Sequence, residues 1–220
     1  MCFSATASFT AGTALLAIGA VTARRASGAS EMPFALIPVL FGIQQLIEGA
    51  LWMTFSGSSP HWLPVLTHVY SIFSHVLWPI YVPIAVLLLE TVAWRRKLLA
   101  GIALAGATVG LYLLYFLVTQ PIVAQVSGSH IAYLSPHFYV GAVMATYVLA
   151  TCISSLFSSH STVRWFGLAA FVSFVAAEAI YAAWFISVWC FFAAVMSGIV
   201  LLHFPRRTTE GPAAELPQFP

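Results

Sequence analysis

Aspartate is absent from this 220-residue sequence, lysine occurs once, at Lys97, and charged residues of every kind make up 6% of the chain. A soluble domain keeps its surface hydrated with about a quarter of its residues charged, so a water-soluble fold is excluded. The hydrophobic share is 61%, and nearly the whole length must face lipid or other helices. Cysteine is scarce too. Cys2, Cys152 and Cys190 stand at unrelated spacings and write neither a disulfide framework nor a Cys-x-x-Cys metal motif. Cys152 and Cys190 are expected as small buried apolar residues. No basic region precedes the first apolar stretch, which is therefore expected to be a retained anchor rather than a signal peptide. The net charge of +2 offers no footing for nucleic acid.

What is present is a series of long apolar runs. A bilayer core of about 30 Å takes about 20 helical residues. Five runs fit directly, near Ser4–Ala23, Pro33–Phe55, Trp62–Glu90, Leu98–Val118 and Pro136–Leu156. A sixth, Val163 to Phe204, is about twice that length and contains no basic residue after Arg164. It is read as two helices turning near Trp184–Ser187. The expected fold is an all-α bundle of seven transmembrane helices over residues 1–207, followed by a disordered cytoplasmic tail at 208–220, rich in Pro and polar residues.

Orientation follows from the basic residues, which stay on the cytoplasmic side during insertion. Arg24 and Arg25 follow span one, Arg95, Arg96 and Lys97 follow span three, Arg164 precedes span six, and Arg206 and Arg207 follow span seven. All eight sort to one side, which puts the N-terminus outside and the C-terminus in the cytoplasm of a multi-pass protein of the inner (plasma) membrane. The only lysine then lies in a cytoplasmic loop, which rules out retinal in a Schiff base. Trp52, Trp62, Trp94, Trp165 and Trp184 sit near span ends as interfacial anchors. Glu31 and Glu90 read as surface charges near the arginines. Pro79 and Pro83 predict a bend in span three.

Two acidic residues fall inside spans, where each is costly, about 2.5 to 3.5 kcal/mol on insertion scales, and calls for a partner. Glu48 lies about four residues past the middle of span two and Glu178 about three past the middle of span six, so both are expected about 5 Å toward the outer face. Span three carries His68, Ser71 and His75 at offsets of three and seven, one helical face. Gln44 and Trp52 extend the polar stripe of Glu48 by a turn each way, and Tyr181 follows Glu178. No intramembrane Lys or Arg neutralises these groups, so the counter-charge is a protonated His, a shared proton or a metal ion. Two carboxylates and an imidazole suit Zn2+, Fe or another divalent metal, and an open position for water would be the catalytic arrangement. Glu48, His68, His75 and Glu178 are the candidate ligands, with Cys2 able to cap the layer from outside. Ser71 and Tyr181 are candidates to orient a reacting group. The outer-loop residues His130 and His137 are expected to be solvated.

The opening Met1-Cys2-Phe3-Ser4-Ala5-Thr6-Ala7-Ser8-Phe9, with Phe41-Gly42-Ile43-Gln44-Gln45, Glu48-Gly49 and Trp78-Pro79, resembles an uncharacterised family of bacterial multi-pass membrane proteins. The resemblance implies a membrane protein and carries no established activity.

Three functions compete on the residues. A membrane-embedded metal-dependent hydrolase would hold its ion on Glu48, His75 and Glu178 and turn bound water into a nucleophile acting on a small-molecule or lipid substrate. A proton-linked transporter or carrier would load and release protons at Glu48 and Glu178 while the proline-bent third span moves. A haem-binding or receptor protein would use His68 or His75 as an axial ligand. Seven-helix zinc hydrolases such as ceramidases share the architecture, but their paired-His and Asp pattern is missing here.

Overall fold

In lipid the backbone must satisfy its own N–H and C=O groups, so each long apolar run closes into a helix. A computed structural model of the protein describes residues 4–57, 60–128, 130–135, 137–181 and 184–204. Among them are seven helices: α1 (Ala5–Arg25), α2 (Met32–Phe55), α3 (Leu63–Leu89), α4 (Ala93–Thr119), α5 (Gly141–Leu156), α6 (Ser161–Tyr181) and α7 (Phe185–His203). Six are long and apolar enough to cross a membrane. The exception is α5, which starts at Gly141 rather than Pro136 because Phe138 N–H bonds back to the Ser135 carbonyl in a turn. At 1.5 Å per residue it spans about 24 Å. Conversely, α4 begins before its apolar run and takes in Arg95, Arg96 and Lys97, residue types that favour helix. The expected tail at 208–220 lies outside the described residues, and so does Cys2.

Helix α1 starts at Ser4, whose Oγ accepts the Ala7 N–H at 3.2 Å. It packs along α2, where Gly12 and Gly42 face each other: a Cβ on either would lie about 3 Å from the other's carbonyl oxygen, 2.9 and 3.0 Å respectively. Helix α4 approaches α3 just as closely. A Cβ on Gly106 would stand 2.0 Å from the Pro79 carbonyl oxygen, so only glycine lets the two backbones meet there.

Helix α3 changes register in its middle, with residues Ile72–Leu77 in a π-helical turn between two α segments. Trp78 N–H bonds to the Phe73 carbonyl, five residues back. The next bond of that kind would run from residue 79 to the Ser74 carbonyl, but Pro79 has no N–H. The Tyr147 hydroxyl of α5 donates to Ser74 O instead. The proline thus leaves a vacant acceptor, and a neighbouring helix fills it. The expected bend is in this way resolved into a π turn locked from outside.

The segment between α4 and α5 folds into an antiparallel hairpin, β1 (Val123–Ser127) with β2 (His130–Leu134), in which Ala124 faces Tyr133 and Gln125 faces Ala132. Gly128, at φ +62°, supplies the positive φ the tight turn needs. Four of the five β2 residues are buried and the strand packs against α7. His130, expected to be solvated, is therefore buried, its ring stacked on Trp184 with centroids 4.6 Å apart. Of the expected anchors, Trp62, Trp94 and Trp165 are exposed, while Trp52 and Trp184 pack against the core.

The basic end of the bundle is tied by charges that reach backbone. Arg25 Nη1 donates to Phe204 O at 2.9 Å, Arg95 Nη1 to Phe157 O at 2.9 Å, and Arg164 Nη1 to Ser158 O and Ser159 O at 3.1 and 2.9 Å. Glu90, expected on the surface, is 2% exposed. Its Oε1 accepts from Thr91 and Val92 N–H at 3.0 and 2.9 Å, and its Oε2 from Ser159 N–H at 2.6 Å. Burial opposes ionisation of this carboxyl, but the bonds from Val92, Ser159 and Thr91 outweigh it and hold Glu90 below the usual carboxylate range.

Candidate functional site

A carboxyl in mid-helix finds no backbone N–H free, because its own helix consumes them all; its partners must be side chains of neighbouring helices. Glu48 meets this condition from the middle of α2. It is 0% exposed, as are Gln44 and Gln45 one turn before it. The Ser187 hydroxyl of α7 donates to Glu48 Oε1 at 2.6 Å. Trp78 Nε1 of α3 donates to Gln44 Oε1 at 2.7 Å, and Phe41 stacks on the same indole at 3.7 Å. The Cys190 sulfur, one turn beyond Ser187, lies within hydrogen-bonding reach of Gln44 and Tyr70. Tyr70 in turn stacks on Tyr133 of β2 at 4.6 Å, interplanar angle 5°. The result is a buried polar layer joining α2, α3 and α7, with the hairpin closing one side of it.

Below this layer the centre of the bundle holds a cavity of about 30 Å3, lined by Phe41, Trp78, Tyr147, Cys152, Trp189 and Cys190 among others. That volume admits about one water molecule.

The other expected ligands go elsewhere. His75 is buried, but the π turn, with its wider hydrogen-bond spacing, breaks the single face expected for His68, Ser71 and His75. Its Nδ1 lies 2.8 Å from Ser74 Oγ, its ring packs on Phe138 at 4.9 Å, and it lines a separate cavity of about 30 Å3 beneath the hairpin with Gln120, Ser135 and His137. His137 Nε2 and Gln120 Oε1 are 2.8 Å apart across that cavity. His68 is half-buried and turns back on its own helix, Nδ1 to Pro64 O at 2.8 Å. Ser71 is buried with its hydroxyl unpartnered among the described residues.

Glu178 stands three residues before Tyr181, the last residue given for α6. Tyr139, ahead of α5, lies near its carboxyl. The Tyr181 side chain lies outside what is described. Among the described residues no three His, Cys, Asp or Glu side chains gather closely enough to hold a metal ion. No such metal-holding group of Glu48, Glu178 and a histidine is found among the described residues.

Sequence reasoning missed three members of the polar layer. Ser187 was assigned to the final turn and instead sits in the first turns of α7. Cys190 is buried as expected, and its spacing of three from Ser187 also puts the two on one face. Tyr70 carried no local signal beyond its place beside Ser71.

None of the curated proteins matches the chain, and no solved structure does. A family model matches residues 1–215. The opening, the Gln44-Gln45-x-x-Glu48 stripe and the Trp78-Pro79 step all fall inside that match, and the chain belongs to the family described as a family of unknown function (DUF6629).

Proposed function

We propose that the protein is a proton-linked carrier of the plasma membrane, with seven spans, an outer N-terminus and a cytoplasmic C-terminus, in which Glu48 takes up and releases the coupled proton. The observation that carries this reading is the complete burial of Glu48 in a polar layer shared by three helices, away from the end of the bundle where Arg25, Arg95 and Arg164 bind backbone carbonyls. An intramembrane carboxyl in that setting exchanges protons more readily than it carries permanent charge. The π turn and Pro79 give α3 a second hydrogen-bond register close to the layer, a local means of rearrangement without unfolding. Orientation rests on all eight basic residues sorting to one side. A metal-dependent hydrolase, the competing reading, lacks a shared locus for its ligands, since His68, His75 and Glu178 each face other neighbours.

Infrared difference spectroscopy on the protein in lipid tests the carrier reading. A protonated-carboxyl band that responds to pH and exchanges in D2O is expected in the wild type and in Glu178→Gln, and should vanish in Glu48→Gln. A spectrum in which Glu48→Gln removes no titrating band would leave Glu48 a structural residue and overturn the proposal.

A further inference from the structure

Two cavities meet on α6 at the basic end of the bundle. One, of about 250 Å3, is lined by Leu156, Ser161, Arg164, Trp165 and Leu168. The other is an open apolar groove of about 690 Å3 between α6 and α7, with Trp165, Leu168 and Val172 on one wall and Phe192, Met196 and Leu202 on the other. Trp165 and Leu168 belong to both, so the two form one depression with a cation at its end and hydrocarbon along its length. From Arg164 to Ala176, the groove's last residue on α6, the helix rises about 18 Å. That is the depth of about one leaflet in a hydrocarbon core of about 30 Å.

The cation is fixed in place and keeps donors to spare. Arg164 is exposed, and its Nη1 donates to the Ser158 and Ser159 carbonyls at 3.1 and 2.9 Å. Those bonds set the plane of the guanidinium and leave its Nε–Nη2 edge without a partner among the described residues. Such an edge offers two parallel N–H groups, which match two oxygens of a phosphate. The loop that Arg164 grips is held by a second guanidinium, Arg95 on Phe157 O, and by one carboxylate, Glu90, whose oxygens already accept from Thr91, Val92 and Ser159. Two cations against one anion leave the site positive. Trp165, 61% exposed beside the guanidinium, is of the residue type that settles at headgroup level.

From this we infer a binding site for an anionic phospholipid, its phosphate on the Nε–Nη2 edge of Arg164 and one acyl chain along the α6–α7 groove. Charge complementarity selects the headgroup. Every phospholipid offers the phosphate, but ethanolamine and choline bring a cation of their own toward Arg164 and Arg95, and glycerol does not. The site is separate from the Glu48 layer, and its fate does not depend on the carrier reading.

The test is lipid retention by the full-length protein. Protein exchanged into nanodiscs of equal phosphatidylglycerol, phosphatidylethanolamine and phosphatidylcholine is extracted into mild detergent, and bound lipid is counted by native mass spectrometry. The wild type should retain phosphatidylglycerol several-fold over the other two, and Arg164→Gln should bring that ratio close to one. Arg96→Gln removes the same charge from the same end of the bundle but lines neither cavity, and it should keep the preference. Ala169→Trp fills the groove and leaves Arg164 in place; it should lower retention of phosphatidylglycerol several-fold, and it decides the matter should Arg164→Gln fail to fold. The site is overturned by a wild type without headgroup preference, by a preference that survives Arg164→Gln or falls as far in Arg96→Gln, or by unchanged retention in Ala169→Trp.

Discussion

The two ends of the bundle handle charge in opposite ways. At the basic end, Arg25, Arg95, Arg164 and Glu90 all reach backbone: carbonyls for the arginines, N–H groups for the glutamate. These are helix termini and loops, where backbone groups lack partners within a helix, so a charge there binds strongly and fixes how helices meet. In the other half of the bundle, Glu48 sits in mid-helix where backbone is consumed, and it takes a serine hydroxyl from another helix. The first kind of site is held by several directional bonds from rigid backbone. The second depends on side chains that can turn, which is what a proton-exchanging group requires.

The sharpest way to break the comparison is to ask whether the two ends face different compartments. Cysteine placed at Ser27 or Thr208 should be silent to an impermeant thiol reagent applied to intact cells and should label fully once the membrane is opened; labelling from outside would reverse the bundle. Next in size, Glu90→Ala strips a shared acceptor from three N–H groups and should cost about 3 kcal/mol of stability, read as a fall in melting temperature of the detergent-purified protein. Because Glu90 is held below its unfolded value, about 4.3, its contribution is present above that pH and disappears as pH falls through the folded value. Wild type should therefore lose stability on acidification below about pH 4, and Glu90→Gln should lose less over the same window.

A smaller effect, about 1 kcal/mol, is expected for Tyr147→Phe, which removes the donor that covers Ser74 O at the π turn. A deuterium-exchange increase confined to the middle of α3 should accompany it, and unchanged exchange would mean that the π turn is held by other means. The smallest expected effect is on metal content. Elemental analysis of wild type and Glu48→Ala should give the same values, since the ligand types do not cluster at Glu48. Loss of one equivalent of zinc or iron in the variant would restore the hydrolase reading.

How much of this was legible depended on how local each cause is. The helices were readable because apolarity is a property of the run itself, and only their ends moved: α4 gained a basic first turn, and α5 lost its first residues to the turn at Phe138. The stripe Gln44, Glu48 was readable for the same reason. His75 was misdirected because helical spacing assumes one register throughout, and a single π turn suffices to rotate everything beyond it. Glu90 was misread because the group that buries it, Ser159 N–H, lies 69 residues away.

By itself, then, the sequence determined that the chain lives among lipid, that its apolar runs become helices, and that Glu48 must find a partner, because insertion costs and backbone self-satisfaction act on every residue regardless of neighbours. Only the tertiary structure decided who that partner is. Ser187 and Cys190 reach the layer because α7 packs against α2, and Tyr70 because α3 does, while glycine contacts such as Gly12 against Gly42 and Gly106 against Pro79 set how closely α1 meets α2 and α4 meets α3. That packing is a sum over many contacts between distant segments, and no single stretch of the chain carries it.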